Sequence, residues 1–121
     1  MLAASDVTLG FELPGATPSN NTLLRMHWAK YQRQKVALAW EVTTAATLSR
    51  WRSPAPDRVT VTIHRIGRKQ LDRDNLYGGA KMLIDALTIS GLIVDDSEAH
   101  IDLTVTQEIG APPRTRVVLE A

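Results

Sequence analysis

The chain is organised around residues 70–98, which have the sequence QLDRDNLYGGAKMLIDALTISGLIVDDSE. This stretch contains six of the thirteen acidic residues of the protein and, between them, a single lysine, Lys81. A folded protein rarely gathers so many like charges unless a cation or a polyanion requires them. The stretch is therefore either a metal site or a helix with polar ends.

Helical periodicity divides the middle of this stretch into two faces. At about 100° per residue, five apolar side chains form a stripe that should face the core. They are Leu76, Ala80, Leu83, Ile84 and Leu87. Asp74, Lys81 and Asp85 lie on the opposite side, within about 40° of one another by the same count. This pattern predicts one amphipathic helix with two carboxylates and a lysine on its exposed face.

Two acidic pairs lie near the two ends of the predicted helix, and the first of them includes Asp74. Asp72 and Asp74 are two residues apart, so in an extended lead-in both side chains point the same way. Asp95 and Asp96 follow the helix and a short predicted strand, far enough along the chain to return towards its start. We therefore expect the two pairs to meet in space.

The flanking segments predict an α+β domain. A helix is expected from about residue 23 to residue 50, capped by Asn20 or Asn21. Period-two alternation or a short apolar run predicts five strands, the last being the antiparallel partner of the one before it. The strands are residues 7–13, 59–64, 92–94, 101–106 and 115–119. We expect a two-layer domain with two helices packed on a mixed sheet of four to five strands.

Composition limits the class of protein. A chain of 121 residues with 44% apolar content supports one domain, residues 1–121, around a single core. Without cysteine, neither a disulfide framework nor a thiolate metal site can form. The first twenty residues lack the features of a signal peptide, and no apolar run approaches the roughly 18 residues of a membrane span. We expect a soluble cytoplasmic protein with no membrane partner.

Charge is distributed unevenly along the chain. Residues 25–81 contain twelve Lys/Arg and four Asp/Glu, a balance of +8, whereas residues 82–121 contain two and seven, a balance of −5. Such polarity can present a basic face to nucleic acid and keep carboxylates for another role. The alternative is a solvated helix surface. The candidate DNA-binding residues are Arg25, Lys30, Arg33, Arg65, Arg68 and Lys69.

The acidic residues also have two interpretations. Taken singly, Asp74 could cap a helix, Lys81 and Asp85 could form an exposed ion pair, and the later aspartates could lie in a turn. Taken together, two carboxylate pairs in a chain without cysteine form the all-oxygen ligand set that suits magnesium or manganese. The three histidines have no paired spacing and are interpreted as structural or DNA-facing.

Several motifs resemble those of the RusA family of Holliday-junction resolvases, which are phage-type crossover junction endodeoxyribonucleases. They are DRDNL at 72–76, K-x-x-x-DAL at 81–87 and G-x-x-x-DD at 91–96, and PSNNTLLR at 18–25 is similar to the N-terminal segment of the family. The resemblance covers most of the chain. It departs from the family pattern at residues 77–80, which place three extra residues before Lys81. These could add one helical turn or lengthen the lead-in to the helix.

The resemblance implies both an activity and a site. A RusA-like protein is a magnesium-dependent endonuclease, with manganese also possible, that resolves four-way DNA junctions as a homodimer and uses no other cofactor. By motif position, Asp72, Asp74 and Asp96 correspond to metal-binding catalytic carboxylates, Asp95 to a neighbouring ligand and Lys81 to the catalytic lysine. The alternative is a non-catalytic protein of the same fold that binds branched DNA. A nucleotide hydrolase is disfavoured because the chain has no GxxxxGK[ST] loop.

Overall fold

The computed structural model describes residues 8–47, 51 and 54–121. The described residues form an α+β domain whose four-stranded mixed sheet has the order β1-β4-β2-β3 and carries helices packed against it. Its elements in chain order are β1 (Thr8–Pro14), α1 (Asn20–Leu24), α2 (Trp28–Ala46), β2 (Val59–Gly67), α3 (Arg73–Gly79), α4 (Lys81–Ile89), β3 (Ile101–Ile109) and β4 (Arg114–Glu120). The predicted fold class is confirmed. Residue 7 of the first predicted strand lies outside the described residues.

The strand β2 lies at the centre of the sheet. It pairs in parallel with β3 and antiparallel with β4, so Val61 lies between Leu103 and Leu119. The prediction that the last strand pairs with the preceding one is wrong, because β4 is inserted between β1 and β2. Val117 and Leu119 of β4 are fully buried, and a central strand buries such side chains better than an edge strand.

One face of the sheet is apolar and carries the helices. On β2, Val59, Val61 and Ile63 are buried, whereas the intervening Thr60 is exposed on the other face. Val42 of α2 and the leucines of α4 belong to the same core cluster as these strand residues. Alternation along the strands therefore produces a two-layer domain, with one sheet face open. Among the described residues, no helix is long and apolar enough to cross a membrane.

The predicted helix at residues 23–50 is in fact two helices. Ser19, rather than either asparagine, caps α1, since its side chain accepts the backbone N–H of Thr22 at 3.1 Å. His27 then adopts an extended backbone and caps α2, where its Nδ1 accepts the N–H of Ala29 at 3.1 Å. A cap with extended backbone cannot lie inside a continuous helix, so the chain turns here. The predicted end at residues 48–50 lies outside the described residues.

The predicted central helix is also divided, at Ala80, into α3 and α4. All five residues of its predicted apolar stripe are buried, which confirms that prediction. Gly79 ends α3 where the backbone of Pro18 crosses it, and a Cβ at Gly79 would lie 1.8 Å from the Pro18 carbonyl oxygen. Gly78 and Gly79, which lack a Cβ, therefore allow the segment around Pro18 and Asn20 to pack directly on α3.

The short strand predicted at residues 92–94 does not form. Gly91 ends α4 with a φ of 79°, and the N–H of Leu92 donates to the carbonyl of Leu87 at 3.0 Å. This bond closes the helix C-terminus and leaves no strand partner for the segment. Leu92 and Ile93 are nonetheless buried, so the apolar run was correctly placed in the core but given the wrong secondary structure.

Candidate functional site

Lys81, the first residue of α4, is the centre of the candidate site. Its Nζ lies 3.7 Å from Oδ1 of Asp85, one turn later on α4, and 3.9 Å from Oδ2 of Asp96 in the following loop. The lysine side chain is 64% exposed. Exposed ion pairs contribute only about 0–1 kcal/mol each, so the ammonium group is free to exchange partners. The predicted proximity of Lys81 to Asp85 is confirmed, and Asp96 approaches Lys81 at the start of α4.

An open cleft of about 650 Å³ begins at Lys81 and extends along β3. Arg58 crosses it, pairing with Asp102 and donating a hydrogen bond to the carbonyl of Glu98 at 2.7 Å. The cleft thus combines two cations with several carboxylates at the protein surface. Its lining residues are Arg58, Lys81, Ile84, Asp96, Glu98, Ile101, Asp102 and Leu103.

Tyr31 of α2 supports this site and was not identified from the sequence. Its hydroxyl donates to Oδ2 of Asp85 at 3.1 Å, while the Lys35 ammonium lies 5.8 Å from the centre of its ring. Burial first, and then the charge of Asp85, raise the pKa of Tyr31 to about 12. The tyrosine therefore stays protonated at neutral pH and holds Asp85 beside Lys81. No local spacing predicts a contact between residues 54 positions apart.

Tyr31→Phe is expected to reduce the fall in folding stability that the wild-type protein shows as the pH rises from 9 to 11. The folded-state pKa lies above the ordinary value of 10.0, so the stabilisation is complete below pH 10 and is lost as the pH rises towards 12. Urea midpoints measured at pH 9 and pH 11 should fall further for the wild type than for Tyr31→Phe. An equal fall in both proteins would contradict the Tyr31–Asp85 hydrogen bond.

Asp72 is the N-cap of α3, a role that the sequence offered for Asp74. Its Oδ1 accepts the backbone N–H of Asn75 and its Oδ2 accepts the side-chain amide of Asn75, both at 2.9 Å. The first of these bonds, assisted by the second, holds the pKa of Asp72 below its usual value. Asn75 in turn accepts the N–H of Asn21 at 3.1 Å, which ties α3 to α1. Asp74 lies in the first turn of α3 and is exposed.

The predicted set of four aspartates is not assembled. In the described ranges 8–47, 51 and 54–121, no group of three or more His, Cys, Asp or Glu side chains is placed to hold a metal ion. Both oxygens of Asp72 bind Asn75, and Asp96 is turned to Lys81. Asp95 accepts chiefly the backbone N–H of Asp96, which lowers its pKa. As arranged, these carboxylates do not form a preassembled metal site: Asp72 caps α3, and Asp96 faces Lys81.

The six predicted DNA-binding residues have different environments. Arg65 is half-buried and structural: its Nε donates to the carbonyl of Thr17 at 2.7 Å and its Nη1 to that of Lys69 at 2.8 Å. Its burial lowers the pKa of the guanidinium. Arg68 and Lys69 are exposed and line a groove of about 510 Å³ beside α1. The remaining three, on or just before α2, are also exposed: Arg25, Lys30 and Arg33.

The three histidines make contacts within the domain. His27 caps α2, and His64 lies with Nδ1 2.6 Å from the hydroxyl of Thr106 and Nε2 2.9 Å from Glu108. His100 Nδ1 lies 2.8 Å from the carbonyl oxygen of Asp57. These contacts agree with the structural interpretation of the histidines.

No protein-family model matches this chain, and no curated protein is similar to it. The resemblance to the RusA family therefore rests on the four short motifs themselves. In the structure these motifs lie together: residues 18–25 pack on α3, Asn21 is bonded to Asn75, and Asp96 returns to Lys81. Segment 18–25 thus contacts segment 72–76, and segment 91–96 contacts segment 81–87.

Proposed function

We propose that the protein is a magnesium-dependent, structure-selective endodeoxyribonuclease that resolves four-way DNA junctions in recombination and repair. The observation that carries the proposal is the grouping of Lys81 with two carboxylates from the motif segments, Asp85 and Asp96, both within 4 Å. The proposal includes manganese as an alternative metal and no other cofactor. It also places the protein in the cytoplasm of a bacterial or phage-infected cell.

Lys81 has the properties needed to bind a reacting phosphate. Its ammonium group is exposed and held only by surface ion pairs, so a phosphate oxygen can replace Asp96 at little cost. The Lys81 ammonium group can then stabilise the negative charge that develops when a phosphodiester is attacked. The hydrogen bond from Tyr31 to Asp85 keeps the opposite side of Lys81 in place.

The exposed basic residues account for DNA binding without sequence recognition. Arg25, Lys30 and Arg33 are exposed just before and at the start of α2, and Arg68 and Lys69 line the groove beside α1. Contacts of this kind bind phosphates and position the duplex, and they weaken as salt rises. A four-way junction has two-fold symmetry, so the proposal includes a homodimer that nicks two strands symmetrically.

The test is cleavage of an end-labelled four-way junction beside a linear duplex of the same sequence. Paired nicks near the branch are expected in Mg²⁺ or Mn²⁺, with intact junction in EDTA and intact linear duplex throughout. Cutting of the linear duplex at the same rate would contradict structure selectivity. Cleavage in EDTA would contradict the requirement for metal.

The second candidate is a protein that binds branched DNA without cutting it. The absence of a three-ligand metal group among the described residues favours this alternative. It predicts that the junction is retarded in a gel and that no product forms with either metal. The same experiment therefore separates the two functions, since both require junction binding and only the first requires product.

A further inference from the structure

The corner between α1 and α2 exposes two large apolar side chains. Leu24, the last residue of α1, is 74% exposed, and Trp28, the first residue of α2, is 73% exposed. Neither belongs to the core cluster. We propose that Trp28 stacks on an unpaired base and thereby lets the protein recognise single-stranded or branched DNA. This inference rests on the proposed function for its ligand, and it adds a residue that distinguishes an unpaired base from a paired one.

The indole is held on a rigid support. His27 caps the helix on which Trp28 begins, and the N–H of Tyr31 donates to the carbonyl of His27 at 2.9 Å. The backbone at Trp28 is thus fixed while its ring is free to contact a partner. A flat ring presented in this way suits stacking on a base, because every base has a π-face.

The surrounding charge identifies the partner as an anion. Residues 25–35 contain Arg25, Lys30, Arg33 and Lys35 and no Asp or Glu; the next acidic residue is Glu41. A second copy of this surface would be repelled by like charge, whereas phosphates flanking a stacked base would be attracted. Aromatic rings among basic residues form the usual surface for single-stranded nucleic acid.

The position of Trp28 relates it to Lys81. Trp28 and Tyr31 are three residues apart and therefore lie on the same side of α2, separated by about 5 Å along its axis. Tyr31 is bonded to Asp85 at 3.1 Å, and Asp85 lies 3.7 Å from Lys81. A base stacked on Trp28 would thus lie about one helical turn from the groups that hold Lys81. Unpaired bases are present in single-stranded DNA and absent from a continuous duplex, and at a four-way branch a base would first have to leave its pair.

Trp40 provides a matched control on the same helix. It is 71% exposed, but it lies three turns further along α2, among Val36, Thr43 and Ile89, with Glu41 next to it. Its surroundings therefore lack the basic residues that accompany Trp28. The two tryptophans have the same side chain and almost equal exposure, and they differ in charge environment.

The test compares the affinity of Trp28→Ala, Trp28→Phe and Trp40→Ala for a fluorescent single-stranded oligonucleotide and for the matching duplex, by anisotropy in EDTA. Trp28→Ala should bind the single strand about 10-fold more weakly and the duplex with unchanged affinity. Trp28→Phe, which keeps a ring, should recover most of the loss, and Trp40→Ala should match the wild type. Equal single-strand affinity in Trp28→Ala and the wild type would overturn the inference.

A second measurement, of tryptophan fluorescence, uses only Trp→Phe variants, which keep an aromatic ring and are less disruptive than Trp28→Ala. Stacking quenches indole emission, and the third tryptophan, Trp51, is present in both variants, so the oligonucleotide should quench the Trp40→Phe protein more than the Trp28→Phe protein. Equal quenching in the two proteins would overturn the inference. Because both measurements are made without metal, they are independent of cleavage: a protein that stacks DNA but does not cut it overturns only the proposed nuclease function.

Discussion

Asp96→Asn is expected to abolish cleavage of a four-way junction in Mg²⁺ while leaving junction binding intact. The substitution keeps the size of the side chain and removes the charge that lies 3.9 Å from the Lys81 ammonium. Since Asp96 corresponds to a metal-binding carboxylate in the proposed function, the cleavage rate should fall by at least about 100-fold. The measurement is single-turnover cleavage of an end-labelled junction, with affinity measured by gel retardation in EDTA.

Asp72→Asn distinguishes the role of Asp72 as a helix cap from its proposed role as a metal ligand. Asparagine is as good an N-cap as aspartate, so α3 should keep its cap while the charge is lost. Loss of cleavage in both variants would support a shared charged site. Retained cleavage in both would contradict the assignment of these aspartates as metal ligands, and loss in Asp96→Asn alone would leave Asp72 as a helix cap. Glu41→Gln, an exposed change on α2, is the control and should cleave normally.

Gly79→Ala is expected to destabilise the fold by about 3 kcal/mol or more. The new Cβ would lie 1.8 Å from the carbonyl oxygen of Pro18 and 2.8 Å from its carbonyl carbon. Because both are backbone atoms, a side-chain rotation cannot relieve the clash, and the segment before α1 must move away from α3. The measurement is the free energy of unfolding from urea denaturation.

Gly10→Ala is the matched control for this prediction. A Cβ at Gly10 would lie 3.9 Å from the carbonyl oxygen of Val117, which is an ordinary van der Waals contact. Its free energy of unfolding should change by less than about 1 kcal/mol. If the two alanine variants were equally stable, the close approach of Pro18 to Gly79 would not exist in solution.

The apolar stripe of α3 and α4 shows how far local pattern can predict structure. Leu76, Leu83 and Leu87 were placed in the core from their spacing, and all three are buried. The break between the helices was not predicted, because the apolar stripe continues through Ala80, whereas α3 ends at Gly79 and α4 begins at Lys81. The break coincides with the packing of Pro18 against Gly79, a contact between residues far apart in the chain.

In the candidate site, too, local spacing predicts contacts between neighbouring residues but not contacts between distant ones. The pairing of Lys81 with Asp85 follows from i,i+4 spacing and is confirmed at 3.7 Å. The hydrogen bond from Tyr31 to Asp85 and the structural role of Arg65 were not predictable, since residue type alone does not identify which distant group a side chain contacts. The expected meeting of Asp72 and Asp96 at a metal site requires a three-dimensional arrangement that the described residues do not have.

Local periodicity and short spacing were sufficient to predict the α+β class, the buried stripe of α3 and α4 and the position of Lys81 beside Asp85. Three features are evident from the folded structure alone: β4 lies between β1 and β2, Asp72 is occupied as a helix cap, and Asp96 approaches Lys81. These features depend on packing and hydrogen bonding between residues that are close in space, which spacing along the chain does not specify.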